Sequence, residues 1–117
     1  MKARIKITQR MLNKSIIDAN KSVVAFFREY QPELGYDFID NGGKNTLVAY
    51  YDDGHQYTPT SIRLYRRPRG DKLLSVQGLT KRAKAGDVMT FEHDKESNRI
   101  IVRLELGEPP KEINLIE

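Results

Sequence analysis

The segment "SIRLYRRPRGDKLL", Ser61 to Leu74, sets four arginines within seven residues: Arg63, Arg66, Arg67 and Arg69. Arginine carries a fixed fork of N–H donors that can take a guanine edge or a phosphate bidentately. The alternation around these residues is that of a strand, in which side chains two apart share a face. Ile62 and Leu64 are therefore expected to pack inward, with Arg63, Tyr65 and Arg67 facing out together. Arg66 falls at the strand end and Arg69 in the turn "PRGD". A two-stranded ribbon fits the major groove of B-DNA, where Gln77 on the next strand could read adenine. Tyr65 could bond a phosphate or stack on an unpaired base. The competing assignment is structural: Arg63 and Arg67 pair across the sheet with acids, and Tyr65 covers apolar surface.

The rest of the chain offers little chemistry. Asp52, Asp53 and His55 in "YYDDGHQY" are suitable metal ligands by type, but Asp-Asp-Gly between strands is also ordinary turn chemistry. No metal and no cofactor is assigned. There is no cysteine, hence no thiol nucleophile, no disulfide framework and no thiolate zinc site. A common metal-dependent nuclease core needs an acid with lysine two positions on. Glu92, Asp94, Asp71 and every other acid fail that spacing. "IDNGGKN" lacks the Gly-Lys-Ser/Thr ending of a phosphate loop. The expectation is a protein that binds rather than reacts.

Charge comes in blocks. Residues 1–28 hold seven Lys or Arg against Asp18 alone, and residues 61–84 hold eight against Asp71 alone. Residues 29–60 and 85–117 are net acidic. A formal charge of +4 therefore hides two basic stretches, the footprint of a polyanion partner if they meet in space. No apolar run reaches the roughly 20 residues needed to span a bilayer. "MKARIKITQRMLNK" has no apolar segment of a signal peptide. A cytoplasmic location is expected, without membrane contact.

These residues need elements to hold them. "ARIKIT" alternates as a strand. Ile16, Ala19, Val23, Phe26, Phe27 and Tyr30 recur at helical spacing, and Ser15 with Asp18 resembles a capping box. The spacing predicts one helix over Ile16–Tyr30, closed by Pro32 and Gly35. Strands are expected at Tyr36–Asp40, Thr46–Tyr51, Ser61–Arg67 and Lys72–Leu79. "TKRAKAGD" is expected as a tight connection or single helical turn, and "VMTFEH" with "RIIVRLEL" as a hairpin about "DKESN". Leu79, Val88 and Phe91 should be buried, and Lys81, Arg82 and Lys84 exposed. The sum is one α+β domain: an N-terminal strand and helix (1–35), a strongly bent, open barrel of six to seven strands (36–106) and a C-terminal tail (107–117).

The run "SIRLYRRPRGDKLLSVQGL–TKRAKAGDVMTFEHDKESNRIIVRLEL" resembles the second half of a DNA-binding pseudobarrel domain. That superfamily includes the effector-binding domain of certain type II restriction endonucleases and the DNA-binding domain of plant auxin-response-type transcription factors. The matching features are a strand, a Lys/Arg-rich connection, alanine before "GD", the strand Val88 to Phe91, a polar turn and a final apolar strand. The resemblance covers roughly Tyr36 to Leu106. It implies a seven-stranded open barrel with short helices whose two arms grip the major groove. It implies DNA binding; an effector role beside a catalytic domain is not expected. A helix as long as Ile16–Tyr30 departs from that pattern. The nucleic-acid-binding residues expected are Arg63, Tyr65, Arg66, Arg67, Arg69, Lys72, Lys81, Arg82 and Lys84, with Arg10 and Lys14 from the first basic block. Duplex DNA is the favoured partner. The alternatives are an acidic protein partner or larger assembly, with homo-oligomerisation included, and RNA or single-stranded DNA stacked on Tyr50, Tyr51, Tyr57 and Tyr65.

Overall fold

The computed structural model describes residues 2–30, 45–66 and 70–105. The expected strand at Tyr36–Asp40, the turn tip holding Arg67 and Arg69, and the tail 107–117 lie outside the described residues. The elements follow in the order β1 (Lys2–Lys6), α1 (Gln9–Lys14), β2 (Ile17–Asp18), α2 (Lys21–Tyr30), β3 (Asn45–Asp52), β4 (Tyr57–Arg66), β5 (Lys72–Val76), α3 (Leu79–Arg82), β6 (Val88–Asp94) and β7 (Arg99–Glu105). The strands form one seven-stranded sheet in the order β1-β6-β7-β3-β4-β5-β2, curled into a half-barrel. Among the described residues only the β3–β7 pair is parallel.

Period-2 alternation sets which face of β1, β3 and β4 is buried, while β6 and β7 bury three consecutive residues each. Ala3, Ile5 and Ile7 are buried from β1 and its extension; Leu47 and Ala49 from β3; Ile62 and Leu64 from β4. They close on Met89 and Phe91 of β6 and on Ile100 and Val102 of β7. Beyond β1 the ladder continues through the "AGD" turn. Ile7 N–H donates to the Asp87 carbonyl and Gly86 N–H to the Ile7 carbonyl, both at 2.8 Å. Gly86 has φ +98°, a conformation that disfavours a Cβ. The buried Asp87 carboxylate accepts Lys84 N–H at 2.8 Å and closes the turn.

The N-terminal third corrects the sequence expectation. Instead of one helix over Ile16–Tyr30, the chain makes the short strand β2 and then α2, and the helix α1, which was not expected, precedes them. Thr8 caps α1 by accepting Met11 N–H. Ser15 ends it in the left-handed region, at φ 56° and ψ 32°, so it is a helix stop and not the start of a capping box. Ile17 and Asp18 pair with Leu74 and Leu73. Two adjacent β-branched residues, Ile16 and Ile17, suit an extended edge better than a helix interior. Asn20 then starts α2, its side-chain oxygen accepting Val23 N–H at 2.9 Å. The seventh described strand is thus β2, which helical periodicity had concealed. In α2, Val23, Phe26 and Phe27 are buried. Phe26 and Phe27 meet edge to face at 5.0 Å, and Phe27 meets Phe91 at 5.5 Å, an aromatic plug against β6.

Two burial expectations also change. Leu79 and Phe91 are buried as expected, but Val88 is half-buried, and Met89, the next residue, takes the core position. Lys81 and Lys84 are exposed, whereas Arg82 is half-buried because its guanidinium lies 4.3 Å from the centroid of the Tyr51 ring. Among the described residues no helix is long and apolar enough to cross a membrane.

Candidate nucleic-acid interface

A groove of about 1080 Å³ runs between α2 and the start of β5. On its α2 side stand Lys21, Val24, Ala25 and Arg28, which repeat at i, i+3, i+4 and i+7 and so form one helix face. This face is the complement of the buried one at Val23, Phe26 and Phe27. On the other side are Gly70, Asp71 and Lys72, where the chain enters β5. Asp18, Ala19 and Asn20 line the groove between them, and Arg10 of α1 joins the lining. The pairing of β2 with β5 brings the sides together: Asp18 stands opposite Leu73, and Ala19 N–H donates to the Lys72 carbonyl at 3.0 Å. Four cations, Arg10, Lys21, Arg28 and Lys72, thus share one concavity with three carboxylates, Asp18, Glu29 and Asp71.

A second cleft, of about 400 Å³, lies next to the C-terminal end of α1. Ser15, Thr46, Ser61, Arg63, Ser75 and Gln77 are among its lining, which holds no acid among the described residues. Arg63 is exposed on the outer face of β4, with its guanidinium 5.7 Å from the centroid of the Tyr65 ring. Thr60 and Ser61 hold Gln77: Thr60 Oγ1 donates to its carbonyl at 3.1 Å, and Gln77 N–H donates to the Ser61 carbonyl at 3.0 Å.

The expected site residues therefore divide. Arg10 and Lys72 line the groove, and Arg63 lines the second cleft. Lys14 is exposed in the last turn of α1, one residue before Ser15 of that cleft. Tyr65 and Arg66 are half-buried at the end of β4, and Arg67 and Arg69 lie outside the described residues. Lys81, Arg82 and Lys84 belong to α3 and the turn after it and line neither cavity. Lys21 and Arg28 were not anticipated. Their seven-residue spacing was the available signal, hidden because the helix was phased only by its apolar residues.

The Asp52–Asp53–His55 loop is spoken for by its own backbone. Asp52 Oδ1 accepts Gly54 N–H, and Asp53 Oδ1 accepts the N–H groups of His55 and Gln56. Those bonds hold both carboxyls below the usual aspartate range, with Arg103 adding to the effect on Asp52. Arg103 bridges three strands, its Nε 2.8 Å from Asp52 and its Nη1 2.6 Å from Glu92. Among the described residues no three His, Cys, Asp or Glu side chains are grouped to hold a metal ion. Compared with known proteins, the chain matches no family model, no curated protein and no solved structure.

Proposed function

We propose that this protein is a non-catalytic binder of duplex DNA and that the α2–β5 groove is its contact surface, with the Arg63 cleft as a second contact. The observation that carries the reading is the convergence of two basic stretches far apart in sequence. Arg10, Lys21 and Arg28 from the first block line one concavity with Lys72 from the second. Against Asp18, Glu29 and Asp71 the four cations leave the lining with a positive balance, the sign that a polyanion partner requires. The curled seven-stranded half-barrel also agrees in outline with the pseudobarrel resemblance. Duplex is favoured over single strands by the state of the tyrosines. Arg99 lies 4.3 Å from the centroid of the Tyr50 ring, and Arg82 the same distance from that of Tyr51, so each ring already has one face engaged. Tyr57 is exposed but stands at the other end of β4 from Arg66, nine residues or roughly 30 Å away.

The test is fluorescence anisotropy of a labelled duplex and its separated strands across a salt series. With about four to six phosphates contacted, log K should fall against log salt with a slope near −4 to −5. The duplex should bind more tightly than either strand. A flat salt response would sink the reading. So would a stable complex with an acidic protein partner and no nucleic-acid affinity at low salt; the three carboxylates of the groove would then belong to a protein interface.

A further inference from the structure

The groove is lined by the same segment that closes the barrel. Strands β1 and β2 are the two ends of the sheet, and they do not pair with each other. Residues 18–22 cross the gap. At one end, Asp18 pairs with Leu73 and Ala19 N–H bonds the Lys72 carbonyl. At the other end, Asn20 Nδ2 donates to the main-chain carbonyl of Arg4 at 3.1 Å; Ser22 Oγ stands 3.0 Å from Asn20 Oδ1 and 3.4 Å from the same carbonyl, its one hydrogen shared between them. Asn20 also caps α2 through its Oδ1, so one side chain fixes both the helix start and the outer edge of β1. Asp18 through Lys21 line the groove.

We propose that Asn20 is a positioning residue of this groove: by stapling α2 to β1 it sets the distance between the Lys21–Arg28 side and Lys72. The inference rests on the reading of the groove as the nucleic-acid site. Its content is a coupling. Whatever loosens the seam moves Lys21 and Arg28 relative to Lys72 and weakens a ligand that needs both sides. By linkage, a ligand held on both sides tightens the seam. The alternative is that the two bonds serve stability alone, in which case affinity of the folded protein is indifferent to them.

The discriminating variant is Asn20→Ser with Ser22→Ala. Serine is a good helix N-cap and keeps an acceptor for Val23 N–H, while both donors to the Arg4 carbonyl are removed without a change in charge. Two measurements are made, hydrogen exchange of the full chain and binding of a labelled DNA duplex over a salt series. Faster exchange is expected in β1 and the first turn of α2. Affinity should fall by about fivefold or more, the lower range of measured couplings. The salt slope should stay that of wild type, because no phosphate contact is removed. Lys21→Gln is the contrast: a direct contact, expected to lower the slope by about one unit and leave exchange at β1 unchanged. Duplex added to wild type should slow exchange at β1. If exchange rises while affinity holds, the coupling is wrong and the groove reading stands. If exchange does not rise, the staple itself is wrong. If wild type binds no duplex, the groove reading falls and this inference with it. Restoring Ser22 in the Asn20→Ser background should recover part of both effects.

Discussion

Two arginines on the strands flanking β3 have different surroundings. Arg103 of β7 is held by Asp52 and Glu92, and the three side chains tie β3, β6 and β7 on the outer face. Arg63 of β4 is exposed in a cleft whose lining includes no acid among the described residues. The first is a structural ion pair, and its consequence is a pH dependence. Asp52 titrates lower in the folded protein than its ordinary value of 3.8, through Gly54 N–H first and Arg103 next. A carboxyl depressed on folding contributes stability above its unfolded pKa, and the contribution is lost as pH falls through the folded one. Melting temperature should therefore drop below about pH 4, and Asp52→Asn should shrink the difference between melts at pH 5 and pH 3. Parallel losses in the two proteins would exclude Asp52 as a source. Arg63 is expected to behave oppositely. Arg63→Ala should change stability by under about 0.5 kcal/mol and weaken duplex binding, lowering the salt slope by about one unit. Its strand neighbours Ile62 and Leu64, both buried, should cost roughly 2–5 kcal/mol as alanine. An Arg63→Ala protein that binds normally but unfolds at much lower denaturant would make Arg63 a stability device.

At the scale of elements, the break between α1 and β2 turns on Ser15. A non-glycine residue in the left-handed region costs roughly 1 kcal/mol, and glycine is the residue best suited to follow a helix there. Ser15→Gly should stabilise the protein by about 0.5–1 kcal/mol in a denaturant titration, and Ser15→Val should destabilise it. Equal effects from both would mean that the left-handed turn does not persist in solution. The same residue explains what sequence reading missed. Ala3, Ile5 and Ile7 and the Ile62–Leu64 pair were legible because period-2 alternation leaves one register that buries the apolar set, and the β6–β7 hairpin because a polar turn separates two apolar runs. Ile16, Ala19, Val23 and Phe26 keep a helical spacing across β2 and Asn20, so a strand and a helix read as one helix, and α1 before them went unread. No local signal announces a two-residue strand whose partner, Leu73–Leu74, lies more than fifty residues on. The groove was hidden for the same reason, since its two sides meet only through that pairing. The edges were clearer. β1 presents Lys2, Arg4 and Lys6 outward, exposed charges that discourage pairing with a second chain.

For the whole molecule, the question is whether affinity follows net charge or placement. The formal charge of +4 is small, and a weakly cationic protein can hold DNA loosely with any of its surface lysines. The topology offers a matched comparison. Lys21 and Lys72 line the groove on opposite sides, while Lys81 and Lys84, from an equally basic stretch, are exposed on α3 and the turn that follows it. Lys21→Gln with Lys72→Gln, and Lys81→Gln with Lys84→Gln, each remove two positive charges. If net charge governs binding, the two double variants should lose affinity equally and their salt slopes should fall together. If the groove is the site, the first pair should lower the slope by about two units and weaken binding at least about tenfold at low salt. The second pair should then stay within about twofold of wild type, a residue of long-range steering that fades once the Debye length drops to roughly 10 Å at 0.1 M salt. The reverse ranking would place the interface on α3 and return Lys81 and Lys84 to the site that their sequence context suggested.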